Sequence, residues 1–404
     1  MMELKGKYTD AKIMIDNIES ECLDQIREFL NHPAFTNPVA IMPDAHSGKG
    51  SCVGFTMKMT EKVIPNVIGV DIGCGVLSVN LGKDVPKVGG IKLDNQIRKN
   101  VPFGMNTYDM SDRWCAKMDK EFPWKKANDR LHKFRSEYEK FFGKKFPYTE
   151  YNMKWYEDKC KEIGTPEQRI TNSLGTLGGG NHFIEFGKSE KTGDIWLTVH
   201  SGSRSFGKLI CEHWQKKTAN PDRVMMSKEL YYLEGDDMCG YLTDMIFAQE
   251  YASFNRKRMS DNIMELVFGK KTVPIETIES THNFIDFEDW VIRKGGIRSY
   301  KGEKMVIPFN MRDGILICEG KSNPEWNSSA PHGAGRVLSR TKAKAQIKLE
   351  DFTKSMEGIF STSVNQETID ESPMAYKDSK MIEEALDGTA TILDKIKPIH
   401  NLKA

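Results

Sequence analysis

Apolar residues in this chain fall into short runs broken by glycine-rich polar turns, with two longer stretches at helical spacing. Residues 11–15 read as a short strand, after which Asp16 is placed to cap a helix. Ile18, Cys22, Ile26, Phe29 and Leu30 would share one face of that helix. Residues 38–42 read as a buried strand running into a polar loop, Pro43 to Gly50. The run from Val63 reads as a strand ending at Asp71, with Cys74 among glycines just beyond it. Trp124, Ala127, Leu131, Phe134, Tyr138 and Phe141 recur at spacings of three and four, the mark of an amphipathic helix. Glycines at 175–180 feed a strand opening at Asn181 and His182, and a second β-rich run ends at His200. A long helix follows over about 238–268, carrying Tyr241, Ile246, Ala248, Tyr251, Phe254 and Met259. His282 opens another apolar run, Arg293 to Gly296 ends one, and two short strands flank 308–312. The last stretch of the chain reads as helices alternating with loops. There is no internal repeat, low-complexity tract or evident linker, so one large domain with a helical insertion over about 103–170 is expected.

Composition narrows the class. A chain of 404 residues, 39% apolar and 28% charged, is an ordinary globular protein with material for a large core. The formal net charge of +1 neither requires nor excludes nucleic acid, which would need a segregated basic face. No segment resembles a signal peptide, and none approaches the roughly 18 apolar residues of a membrane span. The eight cysteines are scattered without Cys-x-x-Cys spacing, which fits a reducing, cytoplasmic setting.

Chemistry gathers at a few places. His332-Gly333-Ala334-Gly335-Arg336 joins a nucleophilic imidazole to glycines that let backbone approach a phosphate and to an arginine that can hold one. The loop from Pro43 to Gly50 does not match Gly-x-x-x-x-Gly-Lys-Ser/Thr, so a nucleotide P-loop is rejected. Asp71 and Cys74, three apart, could reach one metal, a mixed hard and soft pair suited to Mn, Fe, Co or Zn. They could equally be a turn aspartate beside a buried structural cysteine. His182, His200, His282 and His332 each adjoin Gly, Asn or Ser at an expected strand end. None forms a helix-spaced pair, so any metal site must be assembled from distant segments. Lysines interleaved with aromatics over 103–170 suit either RNA stacking or, more simply, a helix core.

The segments 42–50, 70–75, 175–185, 200–204, 282–283, 332–336 and 374–378, in that order along the chain, resemble the RtcB family of RNA ligases. That resemblance implies an α+β fold, a single domain over 1–404 with mixed sheets surrounded by helices. It implies joining of RNA 3′-phosphate or 2′,3′-cyclic phosphate ends to 5′-hydroxyl ends, with GTP and two Mn²⁺ ions, in RNA repair or tRNA splicing, by a monomer. It assigns Asp71, Cys74, His182, His200 and His282 to the metals, with the cysteine bridging. It assigns His332 to carrying GMP. Nucleotide positions would be Asn181, His182, Phe183, Ile184, Glu185, His282, Asn283, Pro308, Phe309, Asn310, Met311, His332, Gly333, Ala334, Gly335 and Lys403. Arg204 and Arg336 would meet RNA phosphates. The chain departs from the family where Pro-Gly-Ser-Met-Gly becomes Pro308-Phe309-Asn310-Met311-Arg312, and where a serine becomes Ile315. Looser selection of GTP is expected from that loop. A lysine-based nucleotidyl transferase is disfavoured, because Met311-Arg312-Asp313-Gly314 lacks the lysine of Lys-x-Asp-Gly. The rival readings are an enzyme that caps RNA 3′-phosphates without sealing, and a non-catalytic RNA-binding relative.

Overall fold

Seven segments pair edge to edge into one antiparallel sheet. Its order is Lys304–Pro308, Ile315–Gly320, Ala390–Leu402, Phe183–Ser189, Ile195–Ser201, Gly75–Gly82 and Glu276–Thr281. Each strand turns at least one apolar side chain into a common interior: Val76, Phe183, Trp196, Ile278, Val306, Ile315, Ile317 and Ile396. Burying that face curls the sheet until its end strands meet, where Val306 N donates to Ser280 Oγ at 2.8 Å. The computed structural model describes residues 1–85, 88–218, 227–269 and 273–404.

A second sheet has six strands: Met2–Lys5, Asp10–Ile13, Val39–His46, Val53–Lys58, Val291–Lys294 and Phe284–Ile285. It is mixed, because Asp10–Ile13 runs parallel to Val39–His46 while the other pairs are antiparallel. The long helix Gly235–Phe268 packs between these parts, and its length and type match the sequence pattern. Tyr241, Ile246, Ala248, Tyr251 and Met259 are fully buried, and so is Arg256. The fold is therefore α+β, with mixed sheets surrounded by helices, as the resemblance implied.

The segment 103–170 holds the helices Met118–Glu121, Trp124–Phe142, Met153–Glu162 and Glu167–Thr171. Ala127, Leu131, Phe134 and Tyr138 face the core, with the Phe134 ring 4.4 Å from that of Phe287. These aromatics are core, not an RNA-stacking surface. Phe141 departs from the expectation: it is 41% exposed and lies flat on Trp290, ring centroids 5.1 Å apart.

Five further expectations need correction. Asp16 caps no helix; it pairs with the Met1 amine at 2.7 Å, and the helix begins at Ser20. Ile18 precedes that helix yet is buried with Cys22, Ile26, Phe29 and Leu30. The strand from Val39 continues through Pro43, Asp44 and Ala45 to His46, because those residues are buried between neighbours instead of forming a surface loop. The run from Val63 is not a strand; Pro65 starts the short helix Pro65–Ile68, and Asp71 and Cys74 lie at the entrance of the strand Gly75–Gly82. The thirteen-residue strand Ala390–Leu402 stands where loops and helices were expected. Its lysines and Pro398 hide the alternation, and its pairing shifts register between Pro398 and His400.

Candidate functional site

Strand register assembles the site. Phe183 stands opposite His200, and His200 opposite Val76. Gly75 stands opposite both Ser201 and Thr281. His182, Cys74 and His282, each one residue outside its strand, therefore reach the same end of the curled sheet as His200. Cys74 Sγ lies 3.4 Å from Nε2 of His182 and 3.4 Å from Nε2 of His200. His182 Nε2 is also 3.2 Å from Asp71 Oδ2. The donor atoms form two overlapping triples, Cys74–His200–His282 and Asp71–Cys74–His182, each within 4.8 Å. Cys74 belongs to both, so one thiolate could serve two ions.

The donor set fits divalent metal. His182 Nδ1 lies 3.1 Å from the Leu177 carbonyl, which can only accept, so Nδ1 carries the hydrogen and Nε2 is free to ligate. His282 Nδ1 is buried with no hydrogen-bond partner among the described residues. Burial holds both His200 and His282 well below the usual imidazole range, so both are neutral, as ligands must be. Burial pushes the Cys74 thiol well up; a bound cation would reverse that and hold the thiolate. Burial also opposes ionisation of Asp71, but His182, Cys74 and Ser203 outweigh it and lower its carboxyl. Ser203 donates to Asp71 Oδ1 from both N and Oγ, at 3.0 Å each. Glycine is required beside it: a Cβ on Gly202 would lie 2.1 Å from Asp71 Oδ2.

The long helix grips the loops that carry these ligands. Arg256 donates to the carbonyls of Gly73 and Ser201 at 2.7 and 2.8 Å and pairs with Glu279 at 2.7 Å. Asn255 accepts from Gly175 N and donates to Gly202 O and Ser201 Oγ. Burial disfavours the Glu279 carboxylate, but Arg256 outweighs it and holds the group low. Asn283, expected at the nucleotide, serves the same purpose: in left-handed backbone at φ 59°, it donates to Asp71 O and accepts from Gly295 N.

His332 adjoins this cluster, its ring 4.6 Å from that of His282. Its Nδ1 is 2.6 Å from Oδ2 of Asp44, a fully buried carboxylate that also accepts from His332 N at 3.2 Å. Gly335, at φ 73°, permits this approach, since a Cβ there would lie 2.2 Å from the Asp44 carbonyl oxygen. One glycine of the pentapeptide thus serves the meeting of loop and strand.

A cleft of about 540 Å³ opens over His332. Of the expected nucleotide positions, Asn181, Phe183, Pro308, Phe309, Gly333, Ala334, Gly335 and Lys403 line it. Ile184 is in the core, and Glu185 is buried behind the cleft, accepting from Asn401 Nδ2 at 2.8 Å. Burial pushes the Glu185 carboxyl up to about 8, so it is largely protonated at neutral pH. Asn310 turns onto Asp313 at 2.8 Å, and Met311 packs with Phe352, Met356 and Ile369. Lys403 Nζ pairs with Glu371 at 2.5 Å and donates to Asn181 O at 3.3 Å. Arg336 lines the cleft while donating to the carbonyls of Leu338 and Asp370. Arg204 is turned away, onto Thr176 Oγ1 and Gly104 O. Sequence reasoning missed Asp44, Asn255, Arg256 and Glu371. The available signal for the first was an aspartate directly continuing an apolar strand run.

These features define an α+β enzyme with a candidate metal centre built on a shared cysteine, set against a carboxylate-held histidine. The chain belongs to the RtcB family: a family model described as "tRNA-splicing ligase RtcB" matches residues 25–404. It is 30% identical over 412 residues to the "RNA-splicing ligase RtcB" of Escherichia coli (strain K12), covering 96% of this chain and 95% of that one. It is 26% identical to the "tRNA-splicing ligase RtcB" of Nanoarchaeum equitans, covering 98% and 94%. Identity is 25% with the "RNA-splicing ligase RtcB homolog 2" of Entamoeba dispar, covering 95% and 84%.

Proposed function

We propose that this chain joins RNA 3′-phosphate or 2′,3′-cyclic phosphate ends to 5′-hydroxyl ends, using GTP and two Mn²⁺ ions, through GMP carried on His332. That it is an RNA ligase follows from its family. The observation supporting the finer reading is the 2.6 Å contact of His332 Nδ1 with Asp44, beside the Cys/His cluster. With Nδ1–H committed to a carboxylate, Nε2 keeps its lone pair and a fixed direction. In this reading Nε2 bonds to the α-phosphorus of GTP and pyrophosphate leaves. A cyclic RNA end is first hydrolysed to a 3′-phosphate, whose oxygen then takes GMP from His332. The 5′-hydroxyl attacks that activated end and GMP departs.

Asp71, Cys74 and His182 would hold one ion, and Cys74, His200 and His282 the other, an imidazole–thiolate–carboxylate set suited to Mn²⁺ over Mg²⁺. When bound, the ions supply neutralisation of phosphate charge. Phe183, Phe309 and Lys403 would shape the nucleotide wall. Arg336, with Arg340 and Lys342 on the cleft rim, would meet RNA phosphate, while Arg204 supports the turn before His182. A reducing, cytoplasmic setting is part of the same reading, supported by eight unpaired cysteines. No helix among the described residues is long and apolar enough to cross a membrane.

The test is a ligation assay with 3′-phosphate and 5′-hydroxyl RNA strands, GTP and Mn²⁺. Sealed product is the expected result. Accumulation of guanylylated 3′ ends without sealing would make the protein a capping enzyme instead.

A further inference from the structure

Asp44 holds two imidazoles, not one. Its carboxylate faces His332 Nδ1, and its main-chain carbonyl lies 2.9 Å from His46 Nδ1. A carbonyl oxygen only accepts, so His46 Nδ1 carries the hydrogen and Nε2 the lone pair. No protein group among the described residues hydrogen-bonds that Nε2. His46 is half-buried and lines the same cleft as His332.

The two walls of the cleft come from different sheets. Phe183, Pro308 and Lys403 stand at strand ends of the seven-stranded sheet, whereas His46 ends a strand of the six-stranded one. Displacement at phosphorus is in line, with the attacking oxygen opposite the leaving group. With GMP held against the wall carrying Phe183, Phe309 and Lys403, the incoming hydroxyl arrives from the wall carrying His46. Other acceptors there are committed or ill suited. His200 belongs to the metal cluster, and Asp44 is fully buried beneath His332. His332 is free again once GMP has passed to the RNA, and sealing of guanylylated RNA by His332→Ala separates it from His46. Glu19 stands against the Lys377 ammonium at 3.9 Å, and Glu21 is exposed at the start of the helix Ser20–Leu30, where a carboxylate would repel RNA phosphate.

We propose that His46 Nε2 accepts the proton of the RNA 5′-hydroxyl in the sealing step, an inference resting on the ligase reading above. The 5′-oxygen bonds to the 3′-phosphorus, the bond from that phosphorus to the bridging oxygen of GMP breaks, and the electron pair leaves with GMP. The hydroxyl proton passes to His46 and from there to solvent. Burial holds His46 down to about 4 in the free protein, which keeps it neutral with its lone pair available. Entering RNA phosphates favour the imidazolium and strengthen it as a base.

The experiment supplies RNA already carrying a 3′-guanylate, so that sealing is measured alone, and follows His332–GMP formation from GTP separately. His46→Ala should slow sealing by about 10²-fold or more, the usual scale of general-base loss, while still forming the GMP adduct. His46→Gln, whose amide oxygen can accept a hydrogen bond but cannot take up the proton, should be as slow as His46→Ala, and recovery of the rate by Gln would mean that His46 only positions the hydroxyl. A 5′-thiol strand ionises near pH 8.5, as thiols do, and needs no base; with it the defect of His46→Ala should shrink. Unchanged sealing by His46→Ala, equal loss of adduct formation and sealing, or an equal defect with the thiol strand would each overturn the proposal. If the unaltered protein does not seal guanylylated RNA, the ligase reading falls and this inference with it. If the unaltered protein seals and the His46 variants seal equally well, only this inference falls and the ligase reading stands.

Discussion

At the scale of single residues, the site depends on which nitrogen of each histidine is left free. His332→Ala should give no protein–GMP adduct by intact mass, yet should still seal RNA supplied with a 3′-guanylate. An adduct persisting in that variant, or mapped to a lysine, would overturn His332 as nucleophile. Asp44→Ala frees the ring of its partner at 2.6 Å, and adduct formation should slow by about 10²-fold or more. Cys74→Ala removes the donor shared by both ligand triples. It should abolish adduct formation and sealing together, with Mn²⁺ binding lost by calorimetry; near-normal activity would end the two-metal reading. His332, Cys74 and the three ligand-type histidines were legible because side-chain chemistry and neighbouring glycines mark them. Asp44 was not, because it is hidden inside a strand and meets His332 across 288 positions of sequence.

At the scale of elements, Gly235–Phe268 acts as a clamp. Its apolar content was legible in the sequence; its Asn255 and Arg256 were not, since nothing local tells a buried arginine from a surface one. Arg256→Met would strip Gly73 and Ser201 of a donor and leave Glu279 unpaired. Denaturant unfolding should show a loss of about 1–3 kcal/mol, the scale for buried acceptors left without a donor, together with weaker Mn²⁺ binding. In the proposed reading, the loop between Lys304–Pro308 and Ile315–Gly320 bears on nucleotide choice. Phe309 lines the cleft, while Ile315 is buried in its strand opposite Ile396. GTP should label the protein, with weaker discrimination against ATP and dGTP than in a relative with the small-residue loop. Strong labelling by GTP alone would mean that the loop does not set specificity.

At the scale of the molecule, the C-terminal strand ties the cleft to the rest. Lys403 and Arg340 outweigh burial and hold Glu371 down to about 2. A depressed carboxylate stabilises the fold fully above its ordinary value near 4.5, and that contribution is lost as pH falls from there toward 2. Unfolding free energy measured across that window should fall less steeply in Lys403→Met, because its Glu371 titrates closer to the unfolded value. The α+β class and the separate segments of the site were legible; the curled sheet was not, because its closure depends on Ala390–Leu402, whose lysines and bulge mask the period-two pattern.

That placement has a consequence for the order of assembly. Ala390–Leu402 lies between Ile315–Gly320 and Phe183–Ser189, in the middle of the sheet. During synthesis, a chain grown only to residue 389 has the four adjacent strands Phe183–Ser189, Ile195–Ser201, Gly75–Gly82 and Glu276–Thr281 available to pair. It therefore has every ligand of the metal cluster but neither the join to Ile315–Gly320 nor Lys403. Chains fold from the N-terminal side as they emerge, and distant pairings close last. The candidate metal cluster can thus assemble before the cleft beside it, which is completed only when Ala390–Leu402 inserts between its two neighbours.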